Sequence, residues 1–234
     1  MFKQKKIINI ILIIFILFTI TGCSNNIKAE NENFANIFFN NISKDKKTDI
    51  NLIDLILVNK ENKLPDDYDP DLIDFENFKI AAVLEENLTE LKNAAKDEDI
   101  YIYINCAYRS NSEQEQVYIN TVANFVDNGN SYDIAVEKAK QIAALPGYSE
   151  HQTGLAIDFT NGGTYEEKEE LWNWLSLNAY KYGFILRYPQ GKEDITGYDY
   201  EAWHYRYVGK KDAKKMFDEN LCLEEYLNNY IVKQ

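Results

Sequence analysis

The chain has 234 residues, of which 45% are hydrophobic, and a formal net charge of −13. This length supports one substantial hydrophobic core and is too short for two large domains. The acidic balance disfavours nucleic acid as a partner, because the sequence has no basic stripe to replace the counterions of phosphates. The net charge bears on solubility and repulsion, and it does not specify a fold.

Residues 1–22 have the layout of a secretory signal peptide. Three lysines within the first six residues precede an apolar run over residues 7–18 that only Asn9 interrupts, and Gly22 comes directly before Cys23. The end of this segment resembles the bacterial lipobox, whose cysteine becomes the lipidated N-terminus. We therefore predict a protein anchored to the cell membrane by lipid at Cys23, extracytoplasmic and facing the cell wall. The alternative is an uncleaved membrane anchor, which places the rest of the chain on the same side.

The remaining chain divides into a predicted flexible tether and a folded part. Residues 23–49 are rich in Asn, Lys and Ser, which is typical of a tether. We assign residues 50–234 to the folded domain. Apolar spacing of three to four residues predicts helices, and alternation of apolar and polar residues predicts strands. The predicted helices cover 78–96, 112–126, 131–144 and 164–183 and begin again at 210, and the predicted strands cover 100–106, 155–159, 184–188 and 203–208.

Two local signals support these assignments. Thr164, with Glu167 three residues later, forms a capping box that predicts a helix start, and Gly183 is well placed to end that helix. Strands and helices do not alternate regularly enough for a doubly wound parallel sheet, so we favour the α+β class. Cys106 and Cys222 either pair in an oxidising compartment or stay as free thiols. Neither cysteine flanks a histidine, so we do not expect either to bind a metal.

The chain has only two histidines, His151 and His204, and each stands near a carboxylate. Imidazole nitrogen and carboxylate oxygen are ligands that suit zinc, and a catalytic zinc commonly keeps three protein ligands. Asp158 follows His151 by seven residues, with Gly154 allowing a turn between them. His151, Asp158 and His204 are therefore candidate metal ligands. Taken singly, each histidine is more typical of an ordinary solvated or core side chain.

Two further side chains suit the attack of water on a carbonyl and the binding of a substrate carboxylate. Glu201 lies three residues before His204, close enough to serve as the base that takes a proton from an attacking water. Arg109 follows a predicted strand, where a guanidinium can bind a substrate carboxylate through two hydrogen bonds. Alone, Glu201 is more typical of a surface acid, and Arg109 is equally suited to a surface ion pair.

The motifs together resemble the VanY-type zinc D-alanyl-D-alanine carboxypeptidases, the VanY/LdcB-like peptidase family. The order and spacing of three blocks agree, and the resemblance runs from about residue 55 to residue 209. The blocks are Tyr108-Arg109-Ser110 with Gln114, Ser149-Glu150-His151 with Gly154, Ala156 and Asp158, and Glu201 with Trp203-His204-Tyr205-Arg206.

The resemblance implies a single hedgehog/D,D-peptidase-like domain, with a small antiparallel sheet flanked by helices, and a Zn²⁺ cofactor. Carried over by position, His151, Asp158 and His204 are the zinc ligands and Glu201 is the catalytic base. The substrate-binding residues would be Arg109, Ser110, Gln114 and Ser149. Ala202 departs from the family, where proline is expected in many members, and this puts the approach of Glu201 in doubt.

The implied activity is removal of the C-terminal D-alanine from the stem peptide of peptidoglycan. Arg109 would hold the terminal carboxylate, and Arg206 or a nearby donor would stabilise the oxyanion beside the metal. An L,D-carboxypeptidase that acts on tetrapeptide stems is the alternative within the same chemistry. A non-catalytic lipoprotein that binds the cell wall is the alternative from another class, although such a protein would have no need for Glu201.

Overall fold

The computed structural model describes residues 54–231. The predicted signal peptide, the lipidation site Cys23, the tether and the domain start at residue 50 lie outside these residues. Six strands are present in the described part, namely β1 (Leu72–Phe75), β2 (Phe78–Ala81), β3 (Tyr103–Cys106), β4 (Ala156–Thr160), β5 (Phe184–Leu186) and β6 (His204–Tyr207). The α-helices are α1 (Glu85–Lys96), α2 (Asn111–Asp127), α3 (Tyr132–Ile142), α4 (Tyr165–Asn178), α5 (Glu193–Thr196), α6 (Lys210–Glu219) and α7 (Leu223–Tyr230).

The main sheet has four strands in the order β3-β4-β6-β5, and all its pairs are antiparallel. Strands β1 and β2 form a separate antiparallel hairpin. A helix-rich chain around a small antiparallel sheet confirms the predicted α+β class.

Alternation along the strands divides the main sheet into an apolar face and a polar face. Phe159 of β4 packs against Phe184 of β5 and Tyr205 of β6, with ring centroids 6.1 and 5.6 Å apart. These three side chains are buried and belong to the hydrophobic core. The polar side chains of the same central strands, Asp158 and His204, consequently project from the opposite face.

One predicted helix is partly wrong. The spacing of apolar residues predicted a helix over 78–96, but Phe78–Ala81 forms strand β2 and Ala82–Leu84 a short 3-10 helix. The α-helix begins only at Glu85. Strand β2 pairs with β1 over its whole length, so backbone pairing with a partner that precedes it overrides the local helical pattern.

The other long elements agree with their predictions to within a few residues at each end. Cys106 and Cys222 are free thiols, so of the two alternatives the structure has the unpaired one. Among residues 54–231, none of the helices combines the length and the apolar character that crossing a membrane requires.

Candidate active site

The register of the central strands brings two of the predicted ligands together. Asp158 of β4 is the direct partner of His204 of β6, so both side chains leave the same face of the sheet. The Asp158 Oδ1 atom lies 3.1 Å from the His204 Nδ1 atom. His151 arrives from a 3-10 helix, Glu150–Thr153, that directly precedes β4. Its Nε2 atom lies 3.5 Å from Asp158 Oδ2, and the two imidazole rings are 4.9 Å apart between centroids.

Gly154 adopts the left-handed backbone conformation and turns the chain from His151 into β4. Gly154 has a φ of +73°, which is unfavourable for any residue with a side chain. The Gly154 carbonyl accepts a hydrogen bond of 3.0 Å from the Ala81 amide of the β1–β2 hairpin. The hairpin therefore packs directly on the turn that carries His151 toward Asp158.

The orientation of these side chains fits a metal ion. The Nδ1 atom of His151 is 2.8 Å from the Ala107 carbonyl oxygen, so an Nδ1–H donates there and leaves the Nε2 lone pair facing Asp158. The Asp158 Oδ1 atom is buried and, although His204 Nδ1 lies 3.1 Å away, it accepts no well-aligned hydrogen bond among the described residues. Two imidazoles and a carboxylate whose buried oxygen lacks a well-aligned hydrogen bond are a donor set that zinc accepts.

Cys106 also lies close to this group, which the sequence did not suggest. Its sulfur and one ligand atom each of His151 and Asp158 lie within 4.8 Å of one another. The sulfur is 3.7 Å from His151 Nδ1, however, and that atom is turned toward the backbone. His151 Nε2 and His204 Nδ1 lie 3.5 and 3.1 Å from the two Asp158 carboxylate oxygens, so we keep the histidine pair as the donor set.

Glu201 lies beside the histidine pair in the loop before β6. Its Oε2 atom is 3.6 Å from His204 Nδ1, and its amide donates a hydrogen bond of 3.1 Å to the Tyr188 carbonyl. Burial raises the pKa of the Glu201 carboxyl, His204 opposes that shift, and the negative charge of Asp158 adds to it. A raised pKa suits a group that must accept a proton and later return it.

These side chains line one cavity of about 270 Å³. The predicted substrate residues Arg109, Gln114 and Ser149 line it as well. The Arg109 Nε and Gln114 Oε1 atoms are buried without a hydrogen-bond partner among the described residues, whereas Gln114 Nε2 donates to the Ala144 carbonyl at 2.7 Å. Buried polar atoms without partners are costly, which favours a polar ligand in this cavity.

Ser110 differs from the other predicted substrate residues. It is the N-cap of α2, where its hydroxyl accepts a hydrogen bond from the Glu113 amide and donates one to the Glu113 carboxylate. Ser110 is not among the residues that line the cavity. The structure thus gives Ser110 a capping contact, and a substrate contact for it stays a prediction.

Comparison with known proteins gives the same answer as the motifs. The family model for VanY, D-alanyl-D-alanine carboxypeptidase, matches residues 77–210. This chain belongs to the VanY family. The family predicted from the sequence motifs is therefore confirmed.

Similar VanY-family proteins include a D-alanyl-D-alanine carboxypeptidase of Enterococcus faecalis, 40% identical over 74% of this chain and 65% of that protein. The putative carboxypeptidase YodJ of Bacillus subtilis is 42% identical over 74% of this chain and 66% of that protein. The chain thus spans just under two thirds of the length of these curated relatives.

Two solved structures have folds similar to this VanY-family chain. A vancomycin-resistance D,D-pentapeptidase VanY in complex with Zn(II) has a TM-score of 0.72 and 40% identity, over 75% of this chain and 99% of the other. The LD-carboxypeptidase LdcB has a TM-score of 0.64 and 40% identity, over 78% and 92%. Both likenesses support the predicted single peptidase-like fold.

Sequence reasoning missed the role of Glu150, although it stands next to His151. Its Oε1 atom accepts hydrogen bonds from Arg187 Nε at 2.7 Å and Arg206 Nη1 at 2.8 Å, and its Oε2 atom lies 3.5 Å from His204 Nε2. Burial raises the pKa of Glu150, but the two guanidinium groups outweigh it and hold that pKa far below its usual range. A single acidic residue carries no sequence signal that it will be fully buried between two arginines.

The structure does not support Arg206 as the oxyanion donor, and the alternative of another nearby donor stays a prediction. Arg206 is fully buried, and besides Glu150 it donates to the carbonyls of Asp54, Ile56 and Tyr207. It is not among the residues that line the cavity. In this VanY-family chain, Arg206 therefore holds Glu150 and the backbone of residues 54–56.

Proposed function

We propose that this protein is a zinc-dependent D,D-carboxypeptidase that removes the C-terminal D-alanine from peptidoglycan stem peptides. One observation carries the proposal: the histidine pair, Asp158, Glu201 and Arg109 line the same cavity. Membership of the VanY family supports the activity. A solved relative described as VanYB in complex with D-Ala-D-Ala, 39% identical with a TM-score of 0.72, supports the substrate.

In this proposal His151 Nε2, the Asp158 carboxylate and His204 Nδ1 hold the zinc ion. Bound zinc supplies Lewis-acid chemistry, which polarises a carbonyl group and makes a water molecule easier to deprotonate. Glu201 accepts the water proton at its carboxylate and delivers it to the leaving amine nitrogen. The Arg109 guanidinium binds the terminal carboxylate of the peptide, which restricts cleavage to the last residue.

Mass spectrometry of stem peptides tests this function directly. We expect the purified protein to release one alanine from a pentapeptide stem, and a chelator to abolish the reaction. Glu201→Ala should retain zinc and lose activity by about 10²- to 10⁴-fold, because only the proton transfer is removed. The matched control is Glu98→Ala, an exposed acid outside the cavity, which should behave like the wild type. Hydrolysis that survives chelation would contradict the proposal.

An L,D-carboxypeptidase is the second candidate, and the likeness to LdcB favours it. The same assay separates the two, because an L,D-enzyme releases alanine from a tetrapeptide stem. Product from the tetrapeptide alone would replace the D,D-activity by the L,D-activity. A protein that binds stems and hydrolyses neither, in wild type and Glu201→Ala alike, would instead be a binding lipoprotein.

We further propose that Cys23 is lipidated and holds the domain at the outer side of the cell membrane. The apolar run over residues 7–18 and the Gly22-Cys23 pair support this location. A membrane-anchored peptidase would meet its peptidoglycan substrate at the membrane–wall boundary. A lipid chain contributes about 0.8 kcal/mol of membrane affinity per buried methylene.

A further inference from the structure

Four aromatic side chains form an exposed strip that begins at the catalytic cavity. Trp203 lines the cavity, and its ring centroid lies 6.1 Å from that of Trp172. The Trp172 ring lies 6.2 Å from the ring of Tyr165, and Tyr200 stands three residues before Trp203 in the same loop. Trp172 is half-buried, whereas Tyr165 is 64% exposed, Tyr200 45% and Trp203 39%. We call these four residues the aromatic strip.

Two elements present the aromatic strip. Tyr165 and Trp172 are seven residues apart on α4, a spacing of about two turns, so they share one face of that helix. Trp172 Nε1 donates to the Phe159 carbonyl of the central sheet at 3.5 Å, which orients its ring. Tyr200 and Trp203 belong to the loop before β6, on either side of the proposed base Glu201. The aromatic strip therefore includes two residues of the loop that also carries the proposed base.

The composition of the aromatic strip points to a ligand that is flat, amphipathic and uncharged. Exposed apolar patches rimmed by polar residues mark binding surfaces, and Tyr and Trp offer an apolar face with a polar edge. A sugar ring has matching properties, because its C–H face packs on an aromatic ring while its hydroxyls stay in water. The acidic side chains Glu166, Glu169 and Glu170 on α4 disfavour an anionic lipid surface by repulsion.

The dimensions of the aromatic strip suit a sugar joined to a peptide whose end lies in the cavity. A five-residue stem spans at most about 17 Å when extended. Tyr165 lies two ring-to-ring steps, of 6.1 and 6.2 Å, from Trp203 at the cavity. We propose that the aromatic strip binds sugar rings of the glycan chain to which the stem peptide is attached. This inference rests on the proposed carboxypeptidase function.

Paired substrates test the aromatic strip. We would compare a free pentapeptide with the same pentapeptide attached to its disaccharide, using wild type, Tyr165→Ala and Trp172→Ala. Loss of one stacking face should lower kcat/KM on the disaccharide substrate by about three- to tenfold, through KM. The kcat/KM measured on the free pentapeptide should not change. Tyr132→Ala, which removes a tyrosine that is 69% exposed at the start of α3, is the matched control and should change neither value.

A binding measurement separates this inference from the proposed activity. The dissociation constant for glycan strands stripped of peptide should rise in Tyr165→Ala and stay constant in Tyr132→Ala, whether or not the protein hydrolyses anything. Tyr165 is largely exposed, so its loss leaves the fold intact even if Trp172→Ala unfolds. Equal losses on both substrates, or none on the disaccharide substrate and the glycan, would overturn the sugar-binding role.

Discussion

His204 lies between two carboxylates that contact opposite sides of its ring. Asp158 Oδ1 is 3.1 Å from Nδ1, and Glu150 Oε2 is 3.5 Å from Nε2. Burial lowers the pKa of His204, but the two carboxylates outweigh burial and raise the pKa to about 9. In the metal-free protein the charged ring is therefore favoured at neutral pH. A ring that is to bind a metal must first lose that proton.

Zinc affinity should consequently rise with pH over a wider range than for an ordinary histidine site. We expect the apparent affinity to increase from pH about 6.5, the usual histidine pKa, up to pH about 9, because protons compete with the metal for His204. Titration with a competing chelator at several pH values measures this. An affinity that levels off just above the usual histidine pKa would contradict the raised value.

Glu150 should be essential for stability because it is the shared acceptor of two buried arginines. Arg187 and Arg206 are both fully buried, and Arg187 has a further acceptor in Glu224. We expect Glu150→Gln to lower the free energy of unfolding by about 3–5 kcal/mol, since it leaves buried positive charge uncompensated. Urea unfolding of the metal-free protein measures the change.

The matched control for that substitution is a surface pair. Lys214 and Asp218 form an exposed i,i+4 ion pair on α6. Asp218→Asn should cost less than about 1 kcal/mol, because water screens the charges. If the two substitutions cost the same, the buried network would have no special role in stability.

At the scale of the elements, the turn at Gly154 connects the 3-10 helix that carries His151 to strand β4. A Cβ atom there would lie 3.0 Å from Leu72 Cδ2 and 3.1 Å from the Ala81 amide nitrogen. Gly154→Ala should therefore combine the cost of a left-handed backbone with a clash against the β1–β2 hairpin, about 2–4 kcal/mol in all. We also expect weaker zinc binding, because His151 shifts relative to Asp158.

Gly129 provides the comparison for Gly154. Its φ is +89°, but a Cβ atom there meets nothing within 4 Å. Gly129→Ala should show only the backbone cost, about 1–2 kcal/mol, and unchanged zinc affinity. Thermal unfolding of both variants measures the loss of stability, and zinc titration measures the change in affinity. Equal effects of the two substitutions would show that the hairpin contact is unimportant.

The sequence predicted correctly those helices and strands that carry their own local signals. The capping box of Thr164 and Glu167 is present at the start of α4, where the sequence predicted it. The segment Phe78–Ala81 was misassigned because Ile80 continues the apolar spacing of α1, whereas its strand conformation depends on pairing with β1. Local periodicity contains no information on such a partner.

At the scale of the whole molecule, the proposed anchor would determine where the proposed carboxypeptidase acts. Cys23→Ala should move the protein from the membrane fraction to the soluble extracellular fraction or leave it as an unprocessed precursor, because no lipid can be attached. Fractionation followed by immunoblotting measures this, with Cys222→Ala as the control for loss of a thiol. If Cys23→Ala stays at the membrane with its N-terminus processed, the lipid anchor is excluded.

The sequence by itself determined the family, the residue types of the candidate site and most of the helices. These features depend on short motifs, on spacing along the chain and on local capping. Only the tertiary structure decided that Asp158 stands opposite His204, that Glu150 is buried between two arginines, and that Arg206 does not line the cavity. Strand register and the burial of charge depend on contacts between residues far apart in the chain, and a linear pattern does not specify them.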